Sequence, residues 1–181
     1  MTYCVAMRLE QGLIFVSDSR TNAGIDHIAT FRKLHRLGTP GERLIVMQTS
    51  GNLATSQSVI TKLFHQVQAG LDRHLNNVDT LFEAAGMVGE TMREIVLHTA
   101  TISHSDESDY ASSVLLGGQI KGQTPELYNI YPQGNFISAT QDTPYFQIGE
   151  SKYGKPILDR ALNYSSPLDK ALRCALISFD S

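Results

Sequence analysis

Met1-Thr2-Tyr3-Cys4-Val5-Ala6-Met7-Arg8-Leu9, then Glu10-Gln11-Gly12, then Leu13-Ile14-Phe15-Val16-Ser17-Asp18, are two β-branched, aromatic or apolar runs joined by a glycine-containing connection of hairpin length. A β-hairpin therefore opens the fold. The residue in front of it is a threonine directly behind the initiator methionine. Methionine is excised during translation when the second residue is small, and excision here would leave a free α-amine beside a threonine hydroxyl. One residue would then carry both a nucleophile and a base.

Beyond the hairpin, Thr21-Asn22-Ala23-Gly24 reads as a turn, Ile28 to Leu37 as extended chain and Arg43 to Gln48 as a short strand, so four strands precede any helix. From Asn52 the period changes. Ile60, Leu63, Phe64, Val67 and Leu71 form one apolar stripe on a helix of about five turns. Thr80 and Glu83 make a capping box for a second helix, whose apolar face of Leu81, Ala85, Val88, Met92, Ile95 and Val96 continues to His98. His104 to Asp109 reads as a solvated acidic loop. Strands return at Ser112 to Ile120, Glu126 to Tyr131 and Tyr145 to Ile148, and two helices follow, around Lys155 to Asn163 and from Pro167 onward. Segregated runs of strands and helices, without strict βαβα alternation, argue α+β with separately packed layers.

The chain has 181 residues, the size of a single domain over 1–181 with one core. A net charge of −3 gives no basic footprint for nucleic acid, and no apolar run is long enough to span a membrane. No charged n-region followed by an apolar h-region opens the chain. Cys4 and Cys174 lie in apolar surroundings and read as buried thiols of a reducing compartment, so the cytoplasm is the expected location.

A threonine hydroxyl is a weak nucleophile and needs a base within hydrogen-bond reach. An N-terminal α-amine, with a reference pKa of about 7.7 to 8.0, supplies one near neutral pH. A nearby ammonium, Lys33, would disfavour the protonated amine. Asp18, at the end of the hairpin's second strand, is the natural partner for that ammonium. The oxyanion formed on attack needs a donor, and Ser50-Gly51 sits where a strand gives way to the first long helix, making the Gly51 N–H the best candidate.

Thr2-Tyr3-Cys4-Val5-Ala6, Val16-Ser17-Asp18-Ser19-Arg20, Phe31-Arg32-Lys33-Leu34 and Thr49-Ser50-Gly51-Asn52 resemble the N-terminal threonine, first aspartate, lysine and glycine blocks of proteasome β-type subunits and HslV. The Ser17 to Gly24 stretch is most similar to the bacterial branch known as Anbu. The resemblance runs along essentially the whole chain. It implies a four-layer αββα sandwich of the N-terminal-nucleophile hydrolase type, self-assembly into a ring or open spiral, and threonine peptidase chemistry without a cofactor. It places Thr21, Phe31 and Val46 to Thr49 around the pocket for the side chain preceding the cleaved bond. The family's Gly-Ser-Gly turn reads Gly149-Glu150-Ser151 here, so Ser151 is the serine available, one place out of register. A second aspartate and a serine that buttress the N-terminus in proteasome subunits would fall near or beyond Asp180-Ser181, which carries the expectation of a further C-terminal segment. By analogy with HslV, an ATP-dependent unfoldase is a partner class that no residue here specifies.

Rival chemistry fits less well. Gly149 to Lys155 matches seven positions of a phosphate-binding loop, but the eighth is Pro156, which lacks the hydroxyl that binds Mg²⁺. Six histidines show no metal-ligand spacing, and Asp106-Glu107-Ser108-Asp109 lacks the glycine and terminal glutamate of an EF-hand. The surviving classes are a threonine-type hydrolase acting on peptides or other amides, and an assembly protein that keeps the fold without the activity.

Overall fold

In β1 (Tyr3–Leu9) Val5, Met7 and Leu9 face one way, Cys4 and Ala6 the other, and all five are buried. A strand covered on both faces needs few polar residues, which is why this one reads as a nearly continuous apolar run. The computed structural model describes residues 2–22, 28–150 and 152–180, with only the backbone of 20–22, 28 and 29. β1 pairs antiparallel with β2 (Gly12–Ser17), and on its other side with β10 (Tyr145–Gly149), giving the order β10-β1-β2. A five-stranded antiparallel sheet comprises β5 (Leu34–Thr39), β6 (Arg43–Gly51), β7 (Ser112–Ile120), β8 (Glu126–Ile130) and β9 (Phe136–Ser138), in that order.

Each sheet is apolar on both faces, and the side-chain period of two sorts the residues into three cores. Cys4, Ala6, Leu115, Leu127, Phe146 and Ile148 fill the space between the sheets. Ile45, Met47, Val114, Leu116 and Tyr128 face α1 (Leu53–Gln68) and α2 (Leu81–Ser103). Val5, Met7 and Leu9 face α3 (Lys155–Ala161) and α4 (Leu168–Asp180). The layers are thus helix, sheet, sheet, helix, the α+β sandwich expected from the sequence.

Several local expectations need correction. Arg20–Asn22 forms β3 and pairs with β4 (Ile28–Thr30), so Thr21 and Asn22 are strand where a turn was expected; Ala23 and Gly24 lie outside the described residues. The extended run from Ile28 to Leu37 is broken at residues 31–33, and among the described residues six strands precede α1. Leu71 lies past the end of α1 and is exposed. The Thr80 hydroxyl accepts the Glu83 N–H at 3.1 Å, but the Glu83 carboxylate accepts from Asp79 N–H, one residue earlier than a capping box requires. The acidic loop after α2 contains a 3₁₀ turn, Glu107–Tyr110. Among the described residues no helix is long and apolar enough to cross a membrane.

Candidate active site

The β1–β2 hairpin sets the first two positions. Its ladder ends at Cys4 opposite Ser17, so Thr2 and Tyr3 leave one strand beside Asp18 leaving the other. Asp18 N–H donates to the Tyr3 carbonyl at 3.0 Å, and Tyr3 N–H donates to Asp18 Oδ1 at 3.0 Å. The second carboxylate oxygen, Oδ2, accepts from Lys33 Nζ at 2.5 Å. One carboxylate thereby ties the peptide that follows Thr2 to the Lys33 ammonium. Both partners are nearly buried, at 6% and 13% side-chain exposure, so the pair lies in a medium that screens it far less than water would. The Lys33 carbonyl accepts Thr49 N–H at 3.0 Å, which extends the β5–β6 ladder and fixes the lysine opposite the end of β6.

Thr2, Lys33, Thr49, Ser50 and Gly51 line one cavity of about 330 Å³. Asn52 N–H donates to the Ala111 carbonyl, and in an antiparallel ladder this puts residue 51 at a non-hydrogen-bonded position with its N–H turned away from β7, towards the side where Lys33 lies. Gly51 has φ +102, and an added Cβ would lie 2.5 Å from the Ala111 carbonyl oxygen. Asn52 caps α1, its side chain accepting from Thr55 N–H at 3.0 Å, so the Gly51 amide belongs to the strand end rather than to the helix.

The other expected positions are distributed unevenly. Phe31 and Thr49 line the cavity. Val46, Met47 and Gln48 do not; Met47 points to the helices, and Gln48 Nε2 donates to the Val16 carbonyl between the sheets. Thr21 contributes its backbone to β3, its side chain being outside the described residues, as are Met1 and Ser151. Gly149 approaches Thr2. It pairs with Tyr3 at the end of β10, has φ +86, and leaves no room for a Cβ against the Thr2 carbonyl, which also accepts Glu150 N–H at 2.8 Å.

The α1 wall of the cavity was not anticipated. Leu53, Ser56, Gln57, Ile60 and Thr61 fall at helical spacing on one face. Three polar residues within the helical period were the available signal. Ser56 is held by the Asn52 carbonyl at 2.9 Å and by Ser112 Oγ at 2.8 Å, and Ser112 in turn donates to the Ser50 carbonyl. Beneath the site, burial and then the Asp18 charge push the Cys4 thiol up to about 12, with Lys33 opposing. Its Sγ lies 3.7 Å from the Thr49 carbonyl. Burial and the neighbouring Arg32 hold the His35 imidazole below its usual range. The arrangement can therefore present a hydroxyl, a buried cation and a strand-end amide to one cavity, with neither the thiol nor the imidazole charged at neutral pH.

The model of the proteasome subunit family matches residues 2–179. Anbu, the ancestral β-subunit, from Yersinia bercovieri superimposes with a TM-score of 0.93 at 58% identity, covering 99% of this chain and 74% of that one. The Anbu complex from Pseudomonas aeruginosa, described as a helical assembly, gives 0.93 at 59% identity over the same shares. Anbu from Hyphomicrobium sp. strain MC1 gives 0.88 at 45% identity, again over 99% and 74%. No match to a curated protein is found. With the family model spanning nearly all of the sequence and these identities over 99% of it, the chain belongs to the proteasome subunit family, in its Anbu branch.

Proposed function

We propose that this protein is an N-terminal threonine hydrolase that cleaves peptide or other amide bonds after removal of Met1. The observation that carries the reading is the bridge made by Asp18. It holds Tyr3 N–H and Lys33 Nζ on its two oxygens while Thr2, Lys33 and Gly51 line the same cavity. In the reaction, Thr2 Oγ1 gives its proton to the freed α-amine and forms a C–O bond to the amide carbon. The Gly51 N–H stabilises the oxyanion, and Ser151 is the candidate to assist at the N-terminus. Collapse breaks the C–N bond, and the proton passes from the α-amine to the departing amine. A water deprotonated by the same α-amine then hydrolyses the ester, releasing the acid and restoring Thr2. The Lys33 ammonium, paired with Asp18, favours the neutral amine by charge repulsion. Phe31 and Thr49, with Thr21, would hold the side chain preceding the cleaved bond.

The helical assembly of the Pseudomonas aeruginosa relative supports a ring or spiral of copies of this chain, which sedimentation velocity would reveal as a species larger than one protomer. Intact mass before and after an epoxyketone, which needs both amine and hydroxyl, tests the chemistry. Loss of one methionine and a single adduct on Thr2 are expected. Thr2→Ala should form no adduct and lose about 10⁴-fold or more in turnover. Retained Met1, or a mature Thr2 that does not react, would instead favour a catalytically silent assembly protein.

A further inference from the structure

Arg32 lines two cavities. One is the Thr2 cavity; the other is an open groove of about 1100 Å³ that runs along β5 to the turn between β5 and β6. Leu34 and Arg36 alternate along β5 and face the groove together, Arg32 lines it just before the strand begins, and Lys121 closes its far end. Among the described residues Glu42 is the one carboxylate that lines it. Arg43 is committed elsewhere, since its Nη1 donates to the Val78 carbonyl at 2.8 Å. Arg32, Arg36 and Lys121 are exposed and make no ion pair among the described residues. Among the described residues no carboxylate lines the Thr2 cavity, where the lining Lys33 is paired with Asp18. In a protein of net charge −3, a cationic groove that shares Arg32 with a candidate active site is a local concentration of the opposite sign.

We propose that the groove is an extended substrate subsite, and that the protein selects peptides carrying carboxylates within about six residues of the reacting amide, the span of an extended chain laid along β5. Arg32 would engage the carboxylate nearest the amide, Arg36 the next and Lys121 the most distant. This rests on the hydrolase reading for the chemistry, but not for the binding.

Three fluorescein-labelled decapeptides, identical except for Glu, Gln or Lys at alternate positions, would be titrated by anisotropy into the Thr2→Ala protein, which cannot turn them over. The Glu peptide is expected to bind about tenfold or more tightly than the Lys peptide at low salt, with the gap narrowing at high salt as exposed charges are screened. Arg36→Gln with Lys121→Gln, two exposed positions, should bring the two peptides within about threefold of each other. Equal binding of all three peptides, or a preference untouched by the double variant, would overturn the proposal. So would a single-stranded RNA that competes as well as the Glu peptide. In parallel, epoxyketones with a Glu or a Gln next to the warhead would be compared on the mature wild-type protein. A Thr2 that reacts with neither while the Glu peptide still binds selectively sinks the hydrolase chemistry and leaves the groove; equal reaction and equal binding do the reverse.

Discussion

Asp18 holds two charges' worth of consequence in one carboxylate. Breaking a buried ion pair from one side leaves the other charge desolvated, at a cost of about 3 kcal/mol. Asp18→Asn should therefore lower the unfolding free energy by that much, read as a urea midpoint at lower concentration with the slope unchanged, as well as release the peptide after Thr2 from its register with Lys33; an unchanged midpoint would show the pair to be solvated after all. Cys4, just below, behaves oppositely to a reactive cysteine. Its thiol ionises near 9.0 as an unperturbed group and about 12 in the fold. A raised folded pKa means that the neutral thiol's contribution to stability is complete below about 9.0 and is lost as pH rises towards 12. At pH 8 the folded thiolate population is on the order of a thousandfold lower than in the unfolded chain, so iodoacetamide should modify Cys4 in urea and not in the native protein. Rapid native alkylation at Cys4 would contradict this. Burial, the larger cause, was legible in the apolar run around Cys4; the added push from Asp18 was not, because a cysteine at position 4 looks the same whether or not a carboxylate lies near it.

At the scale of elements, the end of β6 is the most constrained place in the site. Gly51 has a positive φ and sits hard against Ala111 and Ser112. Gly51→Ala should destabilise the fold by about 1–3 kcal/mol and displace the strand-end amide. If the amide serves the oxyanion, turnover should fall by about 10²-fold or more, read as a drop in kcat in a variant that still melts cooperatively. The sequence made both long helices legible, through apolar stripes long enough to outweigh local noise. It missed β9 and misread β3, since three-residue strands carry no period and are defined only by the partner they meet. It also missed that the polar face of Ser56, Gln57 and Thr61 on α1 lines a cavity, because a polar stripe at helical spacing reads the same whether it faces a cavity or solvent.

For the whole molecule, stability rests on two sheets stacked face to face with a helical layer outside each. Leu115 lies fully buried between the sheets, so Leu115→Ala should cost about 3 kcal/mol, seen as a lower urea midpoint with little change in slope. A loss below 1 kcal/mol would mean that the inter-sheet layer is loosely packed. By itself the sequence determined the order of the longer strands and helices, the α+β class, and the residue types Thr2, Asp18, Lys33 and Gly51, because periodicity and side-chain chemistry are local properties. Only the tertiary structure decided that the inter-sheet face, the Asp18 bridge, the approach of Gly149 to Thr2 and the basic groove beside Arg32 exist at all. Each joins segments far apart in the chain, and their meeting depends on strand register and sheet packing, which no single segment encodes.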